Sequence, residues 1–227
     1  MEAVITQIPL EEVLRYMGHR GAPDPRLLAV AEDCSRLVLE ASRPRWLYDV
    51  SPLARGADGV PLLARWDLPL PGADIRRVLA GCDRAVLLCA TLSLDLERLL
   101  RRLQLEDLTR GLAGEAAAAA AVEVLCDRAE EEIRARYPGH GLTRRFSPGY
   151  GDLPLTLQGP ILAALEAQKR IGLWLGDGGV LIPRKSVTAI LGIAPAPLPK
   201  DEQNKCDGCT LGDRCPYGSA GKDRCHG

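Results

Sequence analysis

The sequence predicts an α+β fold: a mixed, mostly antiparallel sheet with flanking helices, ending in a small cysteine-rich tail. Three observations predict it. Several stretches, residues 25–42 and 107–137 above all, carry the residue types and spacing of helices. Others are of strand length, either alternating (Trp46, Tyr48, Val50) or continuously apolar (residues 85–92). The two kinds do not alternate strictly, so a parallel sheet wound from βαβ units is not expected. Of the 227 residues 46% are hydrophobic and 26% charged, the balance of a globular chain that can bury a core.

Residues 9–17 (PLEEVLRYM) read as a short helix stopped by Gly18. Asp24-Pro25 supplies an N-cap and then a proline at the first helical position. Leu27, Ala31, Cys34, Val38 and Ala41 line one face of the helix that follows, which Arg43-Pro44 stops. Trp46, Tyr48 and Val50 mark a half-buried strand, and RGADGVP separates it from a second strand near 60–67, closed by Pro69 and Pro71. Ile75, Val78 and Leu79 place a short helix over 74–80. The apolar run 85–92 (AVLLCATL) is expected at the centre of the sheet. Ser93 is positioned to cap a helix over 94–104. A longer helix covers 107–137, and its six successive alanines at 116–121 let another element approach closely. Pro138-Gly139 ends it, and residues 144–150 read as a strand running into a Pro-Gly turn. One helix is expected over 159–171, then a hairpin of 173–175 and 180–182 around Asp177-Gly178-Gly179. The last strand, 186–193, alternates Val187, Ala189, Leu191 and Ile193. Residues 1–194 are thus expected as one domain, 195–200 as a proline-rich linker and 201–227 as a tail.

Composition excludes some functions. A net charge of −1 offers no positive field to hold nucleic acid. Arginine supplies 24 of the 29 basic residues, which suits carboxylate or phosphate recognition but follows equally from coding bias. No apolar run reaches the roughly 18 residues of a membrane span; the nearest, 111–126, contains Glu115 and Glu123. The N-terminal MEAVITQIPLEE has no basic n-region and no cleavage-like site, so a cytoplasmic protein is expected. There, cysteines serve as thiols or metal ligands. Cys34, Cys82, Cys89 and Cys126 stand in apolar contexts and read as buried thiols.

The most specific stretch is Arg144-Arg145-Phe146-Ser147-Pro148-Gly149-Tyr150-Gly151-Asp152. Pro148 fixes φ and Gly149 permits positive φ or close approach of a ligand, while Arg145 brings a planar donor and Tyr150 an aromatic face. By its residues alone this is either a cradle for a small anionic, partly aromatic ligand or a tight turn beside a surface arginine. Glu123 and Asp127 share a helix face with Ala116 and Ala120, which makes them either carboxylates on a small apolar stripe or an ordinary solvated face.

RFSPGY resembles the R-x-x-P-G-Y motif of the activation (reactivation) domain of vitamin B12-dependent methionine synthase, which binds S-adenosylmethionine (SAM). Glu123, in VEVLCDRAEEEIR and 22 residues before Arg145, is similar to that family's acidic SAM contact. SVTAILGI, from Ser186, resembles its S-V-S-G strand. The resemblance spans roughly 85–195, and the first 80 residues are closer to stand-alone relatives than to the large multidomain enzyme. It implies SAM as cofactor. Arg145 would meet the ligand carboxylate, Ser147 and Gly149 would offer backbone contacts, Tyr150 matches the motif tyrosine, and Glu123 would accept from an amine or hydroxyl. No catalytic side chain is implied.

The resemblance further implies a stand-alone reactivation module of methyltransferase type, moving a methyl group from SAM to a corrinoid. It would support reductive methylation of cob(II)alamin on a cobalamin-dependent methionine synthase lacking its own activation domain, or on another corrinoid protein, with flavodoxin or ferredoxin as reductant. The departures are informative. After Tyr150 this chain has Gly151-Asp152-Leu153-Pro154 where the large enzyme has proline and a cysteine-containing segment. No D-x-H-x-x-G corrinoid signature is present, and His19, His140 and His226 lie elsewhere, so cobalamin belongs on a partner. For the family's acidic contact near the start of the domain, Asp49 is a guess. Two alternatives stand beside this reading: a non-catalytic partner of a corrinoid protein, and a metal or redox carrier acting through the tail. No G-x-G-x-G loop follows a first strand, against a Rossmann-type methyltransferase.

The tail reads C-x2-C-x5-C-x9-C, at Cys206, Cys209, Cys215 and Cys225. Apart from cysteine, its sizeable apolar side chains are Leu211 and Tyr217, too few to offset the entropy of ordering without cross-links. Four thiolates on a metal would supply the links. A 4Fe–4S cluster and zinc both suit four cysteines, and the spacing does not choose between them. The implied chemistry, which needs an electron near the corrinoid, inclines the expectation to the cluster. A loose tail with redox-labile thiols is the alternative.

Overall fold

The computed structural model describes residues 5–56 and 58–198. The tail cysteines lie outside them. Helices form as α1 (Leu10–Tyr16), α2 (Pro25–Ala41), α3 (Ala73–Val78), α4 (Leu94–Glu106), α5 (Leu108–Arg136), α6 (Gln158–Ala164) and α7 (Ala167–Ile171). Strands are β1 (Arg45–Arg55), β2 (Pro61–Leu63), β3 (Leu68–Pro69), β4 (Arg84–Thr91), β5 (Gly141–Leu142), β6 (Trp174–Leu175), β7 (Leu181–Ile182) and β8 (Ser186–Ala194). Six strands join in the order β3-β2-β1-β4-β8-β5, and β6-β7 form a separate hairpin. The pairings β1·β2, β2·β3, β5·β8 and β6·β7 are antiparallel. Backbone bonds from Arg43 N–H to Leu92 and from Leu53 N–H to Asp83 run β1 and β4 antiparallel as well. The fold is α+β, as expected. The apolar run of β4 lies between β1 and β8 and is buried at every position after Arg84.

The chain divides into two compact units, and the division falls within β1, β4 and β8. The first unit holds the described residues of Met1–Asp49, Leu87–Ala135 and Leu155–Ala189. Its core joins Val13 of α1, Ala31, Cys34 and Val38 of α2, the leucines of α4 and the alanines of α5. Asp24 caps α2 by accepting from Arg26 N–H at 2.7 Å, with Pro25 in the first turn. Gly111 and Gly114 bring α5 against α4: a Cβ at Gly111 would lie 2.9 Å from the Gln104 Cα. The second unit holds the described residues of Val50–Val86, Arg136–Pro154 and Ile190–Gly227. Its buried side chains include Leu63, Leu70, Ile75, Leu79, Leu153, Ile190 and Leu191.

Three local expectations are corrected. The strand expected over 60–67 turns back on itself: Leu63 O accepts from Trp66 N–H at 3.1 Å, Asp67 takes φ 49°, and Leu62 then pairs with Pro69. The helix expected over 159–171 breaks where Glu166 adopts the left-handed conformation, φ 51°, between α6 and α7. Ser93 precedes α4 but does not cap it with its side chain. Its φ of 82° takes the hydroxyl away from the helix amides, and that oxygen is buried without a hydrogen-bond partner among the described residues. No helix among the described residues is long and apolar enough to cross a membrane.

Candidate functional site

Residues 141–154 lie in the second unit, and those up to Phe146 run beside β8. The register begins with Gly141 opposite Ala194 and Leu142 opposite Ile193. It resumes with Phe146 opposite Ile190, bonded in both directions at 2.9 Å. Three residues, 143, 144 and 145, thus face two, 191 and 192: a β-bulge, in place of the regular strand expected. Thr143 sets it. Its N–H donates to Gly192 O at 2.9 Å, and its hydroxyl, rather than its carbonyl, accepts from Gly192 N–H at 2.7 Å. Gly192 has no Cβ because one would meet Cys82 Sγ, with Leu79 and the Thr143 methyl at 3.0 Å. Arg144 and Arg145 occupy the bulge, where re-aimed side chains are common.

Beyond Phe146 the chain makes two successive turns. Tyr150 N–H donates to Ser147 O at 3.1 Å, with Pro148 and Gly149 between them and Gly149 at φ 93°, the conformation that follows a proline in a type II turn. Leu153 N–H then donates to Tyr150 O at 3.0 Å, and Gly149 N–H to Leu153 O at 2.9 Å. The N–H groups of Gly149, Tyr150 and Leu153 are therefore engaged inside the loop. Leu153 is buried, whereas Tyr150 is 54% exposed, its ring tilted against Phe146 at 6.5 Å.

Asp152 holds the far side of the loop. Its carboxylate accepts from Ala73 N–H at 2.5 Å and from Asp74 N–H at 3.1 Å, the first amides of α3. Those two bonds hold its carboxyl below the usual aspartate range.

The loop thus brings together Arg145, Ser147, Gly149 and Tyr150. Glu123 belongs to the first unit, where it is half-buried on α5. There it faces a neighbour that sequence reasoning missed. Burial first, and then the Glu123 carboxylate, push the Tyr16 phenol up. Arg15 stacks on the Tyr16 ring at 4.3 Å and pairs with Glu12 at 2.6 Å. Nothing local in PLEEVLRYM signals this, because Tyr16 and Glu123 are brought together only by packing. Asp127 is exposed, as a solvated face requires.

Cys34, Cys82, Cys89 and Cys126 are buried free thiols, as expected. Burial pushes the Cys34 and Cys89 thiols up, away from reactivity. Among the described residues, no group of three or more His, Cys, Asp or Glu is arranged to hold a metal ion.

No protein-family model matches this chain, and no curated protein matches it. Among solved structures the chain is similar to the MetH reactivation domain bound to AdoHcy, with a TM-score of 0.57 and 16% sequence identity, covering 86% of this chain and 78% of that one. The likeness is one of fold.

Proposed function

We propose that the chain binds SAM on the 145–150 loop and serves as a reactivation module for a corrinoid protein. The observation that supports this best is the likeness of its fold to a domain holding AdoHcy, in a chain that carries the R-x-x-P-G-Y residues on a defined turn. The residues fit the ligand's chemistry. Arg145 carries the charge and planar donors that a carboxylate needs. The Pro148-Gly149 turn presents backbone with no Cβ at its tightest position, and Tyr150 offers an exposed aromatic face. Glu123 is assigned to the same ligand by resemblance, as the acceptor for an amine or hydroxyl. The ligand supplies an activated methyl group on its sulfonium. Binding and orientation are the work of the chain's own residues, so no side-chain acid or base is required.

The partner in this reading is a cobalamin-dependent methionine synthase without its own activation domain, or a related corrinoid protein. One electron from a flavodoxin or ferredoxin, with the methyl group of SAM, converts its cob(II)alamin to methylcobalamin and leaves S-adenosylhomocysteine. Titration calorimetry with SAM tests the binding. Arg145→Ala removes a charge-assisted contact, for which a loss of about 1.5–3 kcal/mol, ten- to hundredfold in affinity, is expected. Absence of binding by the intact protein, or equal affinity in the variant, overturns the assignment. The corrinoid absorption spectrum of candidate partners, with SAM and reductant, tests the reaction: methylation equally fast without this protein rules it out.

A further inference from the structure

We propose that Asp152 is a positioning residue for the 147–150 turn, clasping it to the start of α3 so that Gly149 and Tyr150 meet a ligand in one conformation. The inference rests on the reading of this loop as the SAM-binding loop.

The clasp is reciprocal. Each of the two segments offers a carboxylate where the other offers a glycine. Asp152 reaches α3 because Gly72, at φ 140°, has no side chain; a Cβ there would lie 2.7 Å from Asp152 Oδ1. Asp74, ion-paired with Arg77, in turn lies against Gly151, at φ 52°, where any Cβ would collide with its carboxylate. Helix α3 has only six residues and no side-chain cap of its own, so its first amides would otherwise be orphaned. Asp152 satisfies two of them from 78 and 79 residues away.

The consequence falls on the turn. Gly149 and Tyr150 stand between two fixed points, the Phe146–Ile190 backbone pair and the Asp152 carboxylate. Leu153, 2% exposed, anchors the segment between turn and clasp and bonds back to both Gly149 and Tyr150. Tyr150 is more than half exposed, so packing alone does not hold it. Its backbone must be held instead, and a loop already ordered gives up less entropy when a ligand arrives. Asp152 acts here through Gly149 and Tyr150 rather than by touching the ligand.

Amide hydrogen exchange and SAM calorimetry on wild type, Asp152→Ala and Asp152→Asn test the idea. In Asp152→Ala, exchange at Gly149, Tyr150 and Leu153 is expected to accelerate together with Ala73 and Asp74. SAM affinity is expected to fall about tenfold, the scale of an added loop-ordering cost. Asp152→Asn keeps one acceptor oxygen and turns an amide group toward the second N–H, so it should fall between the two; it also serves if the alanine variant does not fold. A residue that only capped α3 would change exchange at Ala73 and Asp74 and the unfolding midpoint, and leave the turn amides and SAM affinity alone. That result overturns the proposal. If wild type binds no SAM, the functional reading fails. The exchange data then still judge the clasp: faster exchange at Gly149 and Tyr150 sustains it, and unchanged exchange removes it.

Discussion

Gly149 and Gly192 serve the same segment for different reasons. Gly149 supplies a positive φ, and Gly192 supplies room for Cys82, Leu79 and Thr143. The first need is legible in the sequence, because a glycine after proline announces its turn. The second is not, because the atoms that would collide lie remote in sequence from residue 192. Asp152 belongs with the second kind, and it carries a pH prediction. Its folded pKa is depressed by the Ala73 and Asp74 amides. Its bonds are therefore complete above the unfolded aspartate value of about 3.9 and are lost as pH falls through the lower folded value. Protection of the Ala73 and Asp74 amides is expected to hold constant from neutrality to about pH 4 and to fall only on further acidification. An NMR titration of the Asp152 carboxyl carbon checks the sign, and a midpoint at or above the ordinary value contradicts it.

At the scale of elements, periodicity places α2 and α4 within a few residues, since each buries one face against the same core, and helix-forming composition places α5, whose middle is buried nearly all round. What the pattern leaves out is how close two helices come. On α5, a Cβ at Gly111 meets the Gln104 Cα and N at 2.9 and 3.4 Å, whereas one at Gly114 meets the tip of Leu103, at 2.7 Å. Backbone cannot yield without moving α4, but a leucine methyl can rotate. Alanine gains about 1 kcal/mol of helix propensity over glycine at either site. Gly114→Ala is therefore expected to lie within about 1 kcal/mol of wild type, and Gly111→Ala to lose about 1–3 kcal/mol by overpacking. Urea denaturation of the two variants tests the difference, and equal midpoints refute the backbone argument. The same limit on local reading explains the errors at Asp67 and Glu166. Both take the left-handed conformation, which residues other than glycine adopt uncommonly, so a helix or strand pattern does not foresee it.

For the whole molecule, the likeness in fold covers 86% of the chain, and the cysteine tail is judged by the sequence alone. Cys206, Cys209, Cys215 and Cys225 are expected to hold a metal. Anaerobic purification followed by iron, sulfide and zinc analysis should find either iron with sulfide or zinc at stoichiometric level. Absence of all three, with four tail thiols open to alkylation, removes the metal site and with it the carrier alternative. Because the described residues contain no metal-ligand group of their own, metal recovered in stoichiometric amount would point to the tail.

Local sequence was enough for the α+β class, the position of the central strand β4, the Asp24 cap of α2, the stops of α2 and α5, and the Arg145–Tyr150 motif. These follow from chemistry within a few residues: spacing that matches a helix or strand, proline that fixes φ, glycine that frees it. Long-range contacts were needed for the bulge at 143–145, the approach of Tyr16 to Glu123, and the clasp of Asp152 on α3. Each depends on a partner that folding delivers. A threonine hydroxyl replaces a carbonyl in the ladder only when Gly192 stands opposite. An aspartate caps a helix 78 residues away only when two glycines have cleared the path.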